Sequence, residues 1–202
     1  EAGARWTTFG DATIAGGEAV LREGGGVMAG LEQTYDLPPG ATGMTFRILS
    51  MTLGATDATA PDAFEAALFD ARTGLPLFGA LPGLPGSDAF LNIQADGTRF
   101  TAPAVTVTDL GGGVLSVAVD FTGLDPRTDA VTLSFDLIGL GAADARVILD
   151  DVVLQGLVAN TAPTAADVAV TLDEDTVRDI DLTAGASDPE GDRLIVRLLD
   201  PV

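Results

Sequence analysis

The chain has 202 residues, 47% of them apolar, and its 30 acidic and 10 basic side chains leave a formal net charge of −20. That length accommodates one domain of about 150 residues and part of another, with enough apolar content to bury a core, which excludes a disordered chain. So acidic a field repels phosphate backbones and anionic lipid, which excludes nucleic-acid binding and direct membrane-surface binding, while hard divalent cations become natural partners.

The absences narrow the chemistry further. There is no Cys, no His and no Lys, and every base is Arg. Disulfides, Cys/His zinc sites, Ser-His-Asp and Cys-His catalysis and Schiff-base chemistry are therefore excluded. An enzyme would be left with carboxylates or an oxygen-held metal, and none of the acids stands in a recognisable catalytic motif. No stretch reaches the roughly 18 uninterrupted apolar residues of a membrane helix. The start carries no signal peptide, as expected of a mature chain or a fragment.

In chain order, the first predicted strands cover 17–22 and 29–36, followed by the alternating Met44, Phe46 and Ile48. Strands follow at 63–69, 88–94 and 101–108, and then Leu115, Val117, Val119 and Phe121 alternate in the same way. The clearest signal is Val131–Leu137: Val131, Leu133, Phe135 and Leu137 face one way, Thr132, Ser134 and Asp136 the other. Period-two alternation marks a half-buried strand. The last strand of this set is 146–154. Pro38-Pro39-Gly40, the Pro82–Gly86 run, Asp96-Gly97, Gly111-Gly112-Gly113 and Asp125-Pro126 separate them as turns. Gly24-Gly25-Gly26 and the 111–113 glycines open no helix and precede no Lys, so they read as hairpin loops rather than phosphate cradles. No window carries a helical stripe. About nine strands at this spacing predict an all-β chain, an antiparallel jelly-roll-like β-sandwich over 1–156.

A linker is expected at 157–163, where Ala162-Pro163 breaks any continuing strand. Further strands are predicted at 167–172, 178–182 and 193–199. A unit over 164–202 falls short of the roughly 100 residues of a complete sandwich, so it is expected to be the first part of an incomplete one.

Two resemblances add to this reading. Glu1-Ala-Gly with Trp6, the run Gly16–Leu21, Leu31–Pro38 and the closing Val147–Leu154 strand, in that order, resemble the jelly-roll carbohydrate-binding modules and galactose-binding-like domains of bacterial extracellular proteins. That resemblance implies a structural calcium held by Glu1 with Asp150 or Asp151. Asn160-Thr-Ala-Pro163, Leu172–Thr176 and Ser187–Leu194 are similar to cadherin-like tandem repeats of bacterial adhesins. This second resemblance implies Ca2+ at the domain junction on Asn160, Glu174, Asp188 and Glu190, with Asp192 as an extra ligand. Calcium takes six to eight oxygens, so a cluster of carboxylates suits it; the competing reading is a solvated acidic loop. Trp6 and Tyr35 are the candidate sugar-stacking residues, against the plainer reading that a lone Trp in an early strand belongs to the core.

The expected function is a non-catalytic, secreted, cell-surface recognition or adhesion module of a calcium-dependent protein, with a glycan or cell-surface ligand and neighbouring domains as partners. The alternative is a structural subunit of a filament or surface assembly, its incomplete domain completed by a strand from another copy.

Overall fold

The computed structural model describes residues 6–24, 26–38, 40–54, 61–139, 144–156, 161–190 and 194–196. The chain divides into two units, Glu1–Leu37 with Ala41–Gly156 and Pro38–Gly40 with Leu157–Val202. The first contains β1 (Thr7–Phe9), β2 (Ala12–Ala15), β3 (Glu18–Arg22), β4 (Met28–Asp36), β5 (Gly43–Thr52) and β6 (Ala63–Asp70). It continues with β7 (Ala89–Gln94), β8 (Arg99–Thr101), β9 (Val105–Gly111), β10 (Val114–Asp120), β11 (Ala130–Ile138) and β12 (Arg146–Gln155). All pairings are antiparallel, and they build two sheets in the orders β1-β4-β11-β6-β7-β8 and β2-β3-β12-β5-β10-β9. The chain passes repeatedly between the sheets, and the result is the all-β jelly-roll-like sandwich its alternation predicts.

The core follows from that alternation. Val131, Leu133, Phe135 and Leu137 on β11 are fully buried, as are Phe46 and Ile48 on β5 and Val117 on β10. With so few aromatic residues, four phenylalanines take the centre: Phe46, Phe64, Phe90 and Phe135. The Phe135 ring lies 4.8 Å from Phe46 and 6.2 Å from Phe64, so one side chain of the first sheet joins both layers. Burial of each such ring stabilises the fold by about 1.5–3 kcal/mol.

Turn chemistry sets the registers. Gly97 (φ +85°) closes the β7–β8 hairpin, its N–H donating to the Gln94 carbonyl, while the Asp96 carboxylate accepts from the Thr98 N–H. Gly111, Gly112 and Gly113 all have positive φ in the β9–β10 hairpin, a conformation open to glycine at no steric cost.

The structure corrects several expectations. The strand expected over 101–108 is two pieces: β8 ends at Thr101 in the first sheet and β9 starts at Val105 in the second. Pro103 lies at the break, where the Val105 N–H turns back to the Ala102 carbonyl and the chain changes sheets. β1 and β2 are strands that no alternation announced, because short edge strands with mostly exposed side chains carry no such signal.

In the second unit the described residues form one short antiparallel pair, β13 (Thr164–Ala165) with β14 (Ala186–Ser187). The strands expected at 167–172 and 178–182 are not formed. Val168, Val170, Leu172, Ile180 and Leu182 are instead exposed. An alternating segment becomes a strand only where a hydrogen-bonded neighbour and a facing apolar layer receive it. Of the strand expected at 193–199, residues 194–196 are described and are not strand; the others lie outside the described residues.

Candidate functional site

Two places in the first unit gather chemistry. The first is a cleft of about 360 Å³ bordered by residues from both sheets, among them Trp6, Gln33, Tyr35, Asp150 and Asp151. β4 alternation puts Gln33 and Tyr35 on the same side, and the Tyr35 hydroxyl donates to Gln33 Oε1 at 3.1 Å. Burial pushes the Tyr35 phenol up to about 12, so it stays a donor. Trp6 packs edge-on to Tyr35 at 6.2 Å and against Phe135 at 5.8 Å, so its ring is a partly buried member of the core that also borders the cleft. On the other wall β12 bulges between Asp150 and Val153. The bulge turns Asp151 into the left-handed region (φ +55°), which Asp tolerates better than most residues. The Asp151 N–H donates to Asp150 Oδ1 at 2.7 Å, and the Asp151 carboxylate lies 3.1 Å from the Arg47 guanidinium.

The second place is the outer face of the first sheet. Register aligns Gly30 with Asp136, Asp136 with Glu65, Glu65 with Asn92 and Asn92 with Phe100 across five strands. Glu32 and Ser134 form the neighbouring rung. At the β1 edge Phe9 pairs with Gly30. A Cβ at Gly30 would collide with the tip of the Phe9 ring and lie 2.7 Å from Asp136 Oδ1. The glycine therefore lets the ring and the carboxylate close over the same spot.

This face is polar and unevenly solvated: Glu32 is exposed, Glu65 and Asp136 are half-buried, and two polar side chains are enclosed. Asn92 is 3% exposed and Ser134 7%. Asn92 Nδ2 donates to Glu65 Oε1 at 2.8 Å, and the Ser87 hydroxyl reaches the same oxygen at 3.4 Å. Ser134 donates to Asp136 Oδ2 at 3.0 Å. Burial, with the like charges of Glu65, Asp88 and Glu32 adding to it, pushes Asp136 up to about 6. Asn92 Oδ1 is buried and has no hydrogen-bond partner. The arrangement can accept hydrogen bonds from a ligand and offers an apolar ring beside them.

The structure thus brings Trp6, Tyr35, Asp150 and Asp151 to one cleft. Glu174, Asp188 and Glu190 belong to the second unit. There Glu190 accepts from the Thr161 N–H at 3.1 Å and from its hydroxyl at 2.9 Å, and Asp188 Oδ1 accepts from the Glu190 N–H at 3.0 Å. Glu174 is exposed. Glu1, Asn160 and Asp192 lie outside the described residues. Among the described residues no three acidic side chains converge as they would around a metal ion.

Sequence reasoning missed Phe9, Gly30, Glu65 and Asn92, and it placed Asp136 only as an outward residue of its strand. The outward position was the available signal; the pairing of β11 with β4 and β6, which makes the row, was not readable from spacing.

No protein-family model matches this chain, and no curated protein matches it. Two solved structures of carbohydrate-binding modules are similar to it. One is a CBM4 module, at 16% identity over 75% of this chain and 76% of that one, with a TM-score of 0.37. The other is TmCBM27, described for specific mannan recognition, at 13% identity over 74% of this chain and 86% of that one, with a TM-score of 0.33. No helix among the described residues is long and apolar enough to cross a membrane.

Proposed function

We propose that this chain is a non-catalytic recognition module of an extracellular surface protein and that it binds a glycan on the outer face of its first sheet. One observation carries this reading: the row from Phe9 through Asp136, Glu65 and Asn92, a line of hydrogen-bonding groups held rigid by the sheet and flanked by an aromatic ring. A pyranose offers an apolar face to such a ring and hydroxyls to such acceptors. Calorimetric titration with a panel of soluble oligosaccharides tests it. Binding should appear for one class and fall at least roughly tenfold in Phe9→Ala, the order of an aromatic contact with its buried area. A panel that binds nowhere, or binding indifferent to Phe9, rejects the site.

Calcium-dependent adhesion belongs to the same proposal, with Asp188 and Glu190 as carboxylates of the second unit that already share one loop. A melt that rises in calcium and returns in EDTA supports it; coincident melts leave these acids as surface charge.

A second reading has its own observation. The apolar residues of 168–172 and 180–182 alternate but are exposed, which suits a segment completed by a strand from another copy of the chain. Concentration-dependent mass by light scattering, abolished by charged substitutions at Val170 and Leu182, would favour that structural role.

A further inference from the structure

We infer that the outer face of the first sheet selects saccharides bearing free amines over neutral ones, a refinement that rests on the glycan reading above. Asp136 and Glu65 are register partners there, Glu32 stands on the next rung opposite Ser134, and Glu32, Glu65 and Asp88 all act on Asp136. The outward positions of β4, β11, β6 and β7 carry no arginine. The arginines of the second sheet, Arg22, Arg47 and Arg146, lie on that sheet's own outer positions. The negative charge of the face therefore meets no cation from β4, β11, β6 or β7, and Arg99 of β8 is in register with the core residue Ile93 rather than with the row.

Asn92 adds an independent sign of a missing donor. Its side chain is enclosed and turned to the row, with Nδ2 committed to Glu65 and Oδ1 left without any partner. A buried acceptor with no donor costs free energy that a donor supplied from outside would recover. Burial and the surrounding like charges hold the Asp136 proton up to about 6, as expected where negative charge is uncompensated.

An ammonium group answers both deficits. It donates three hydrogen bonds, accepts none and brings the absent charge, whereas a neutral hydroxyl must also place lone pairs among carboxylates. The ring of Phe9 beside Asp136 then favours an amine carried on a pyranose over one carried on a basic peptide.

The test is calorimetry of the whole chain at pH 7 with a β-1,4-linked glucosamine hexamer, its N-acetylated counterpart, a glucose hexamer and a lysine hexapeptide. The glucosamine hexamer should bind roughly tenfold or more tightly than the other three, the scale of one charge-assisted hydrogen bond. The Glu65→Gln, Asp136→Asn double variant, folded by its melt, should bind the amine-bearing and acetylated hexamers alike. Equal binding of all three hexamers to the unaltered chain overturns amine selection and leaves the glycan reading intact. Equal binding of the lysine peptide overturns it as charge capture without sugar recognition. Failure of all three hexamers overturns amine selection, while the glycan reading falls only if the wider oligosaccharide panel also binds nowhere.

Discussion

The outer faces of the two sheets have the same strand geometry and opposite chemistry. On the second sheet Thr45, Arg47, Ser116, Ala118 and Asp150 point outward, Arg47 is well exposed, and its bridge to Asp151 joins two side chains about half accessible, 50% and 52%. On the first sheet the outward Asn92, Ser134 and Asp136 are buried or half-buried, and their polar atoms satisfy one another incompletely. Water neutralises the exposed Arg47 on the second face and Glu32 on the first, but is largely kept from Asn92 and Ser134. A polar residue reports on function only when its solvation is known.

Breaking the support beneath the first face should have the largest effect. Phe135→Ala removes a ring that touches Trp6, Phe46 and Phe64 under Asp136 and should lower the unfolding free energy by about 3–5 kcal/mol, read by urea denaturation. Gly30→Val comes next. Its Cβ would meet the Phe9 ring and lie 2.6 Å from the Phe135 carbonyl, so a loss of about 1–3 kcal/mol is expected. A neutral melt for Gly30→Val would mean that Phe9 does not close over the sheet.

The carboxylate of Asp136 sharpens the comparison through pH. Near pH 3 both folded and unfolded chains hold its proton. Between the ordinary carboxylate range and about 6 the unfolded chain ionises while the folded chain keeps the proton, so stability falls as pH rises through that window and levels off above it. Asp136→Asn should therefore be more stable than the parent by about 1–2 kcal/mol at pH 7.5, after allowance for partial solvation, and equal to it near pH 3. A gain that persists at low pH would assign the effect to packing.

The smallest effect belongs to the second face. A double-mutant cycle of Arg47→Ala and Asp151→Asn should give a coupling below about 1 kcal/mol that vanishes in high salt. A larger coupling would show that the β12 bulge depends on this pair.

Much of the fold was legible because its evidence is local. The alternation in Val131–Leu137 and Leu115–Val119 marked the buried strands, and Asp96-Gly97 and the 111–113 glycines marked hairpins. The same alternation at Val168, Val170 and Leu172 announced a strand that is not formed, because period two states which side chains could share a face and not whether anything meets that face. The cleft was legible in part: Trp6, Tyr35, Asp150 and Asp151 were singled out one by one, and folding set them along one wall-to-wall space.

By itself the sequence determined the all-β class, the core residues of the central strands, the excess of acid and the exclusion of histidine, cysteine and lysine chemistry, since composition and nearest-neighbour periodicity suffice for each. Only the tertiary structure decided which acids lose their water. Glu65, Asn92 and Asp136 come from segments separated by tens of residues, and antiparallel register across β11, β6 and β7 is what sets them side by side, with Asn92 buried and Glu65 and Asp136 half-buried.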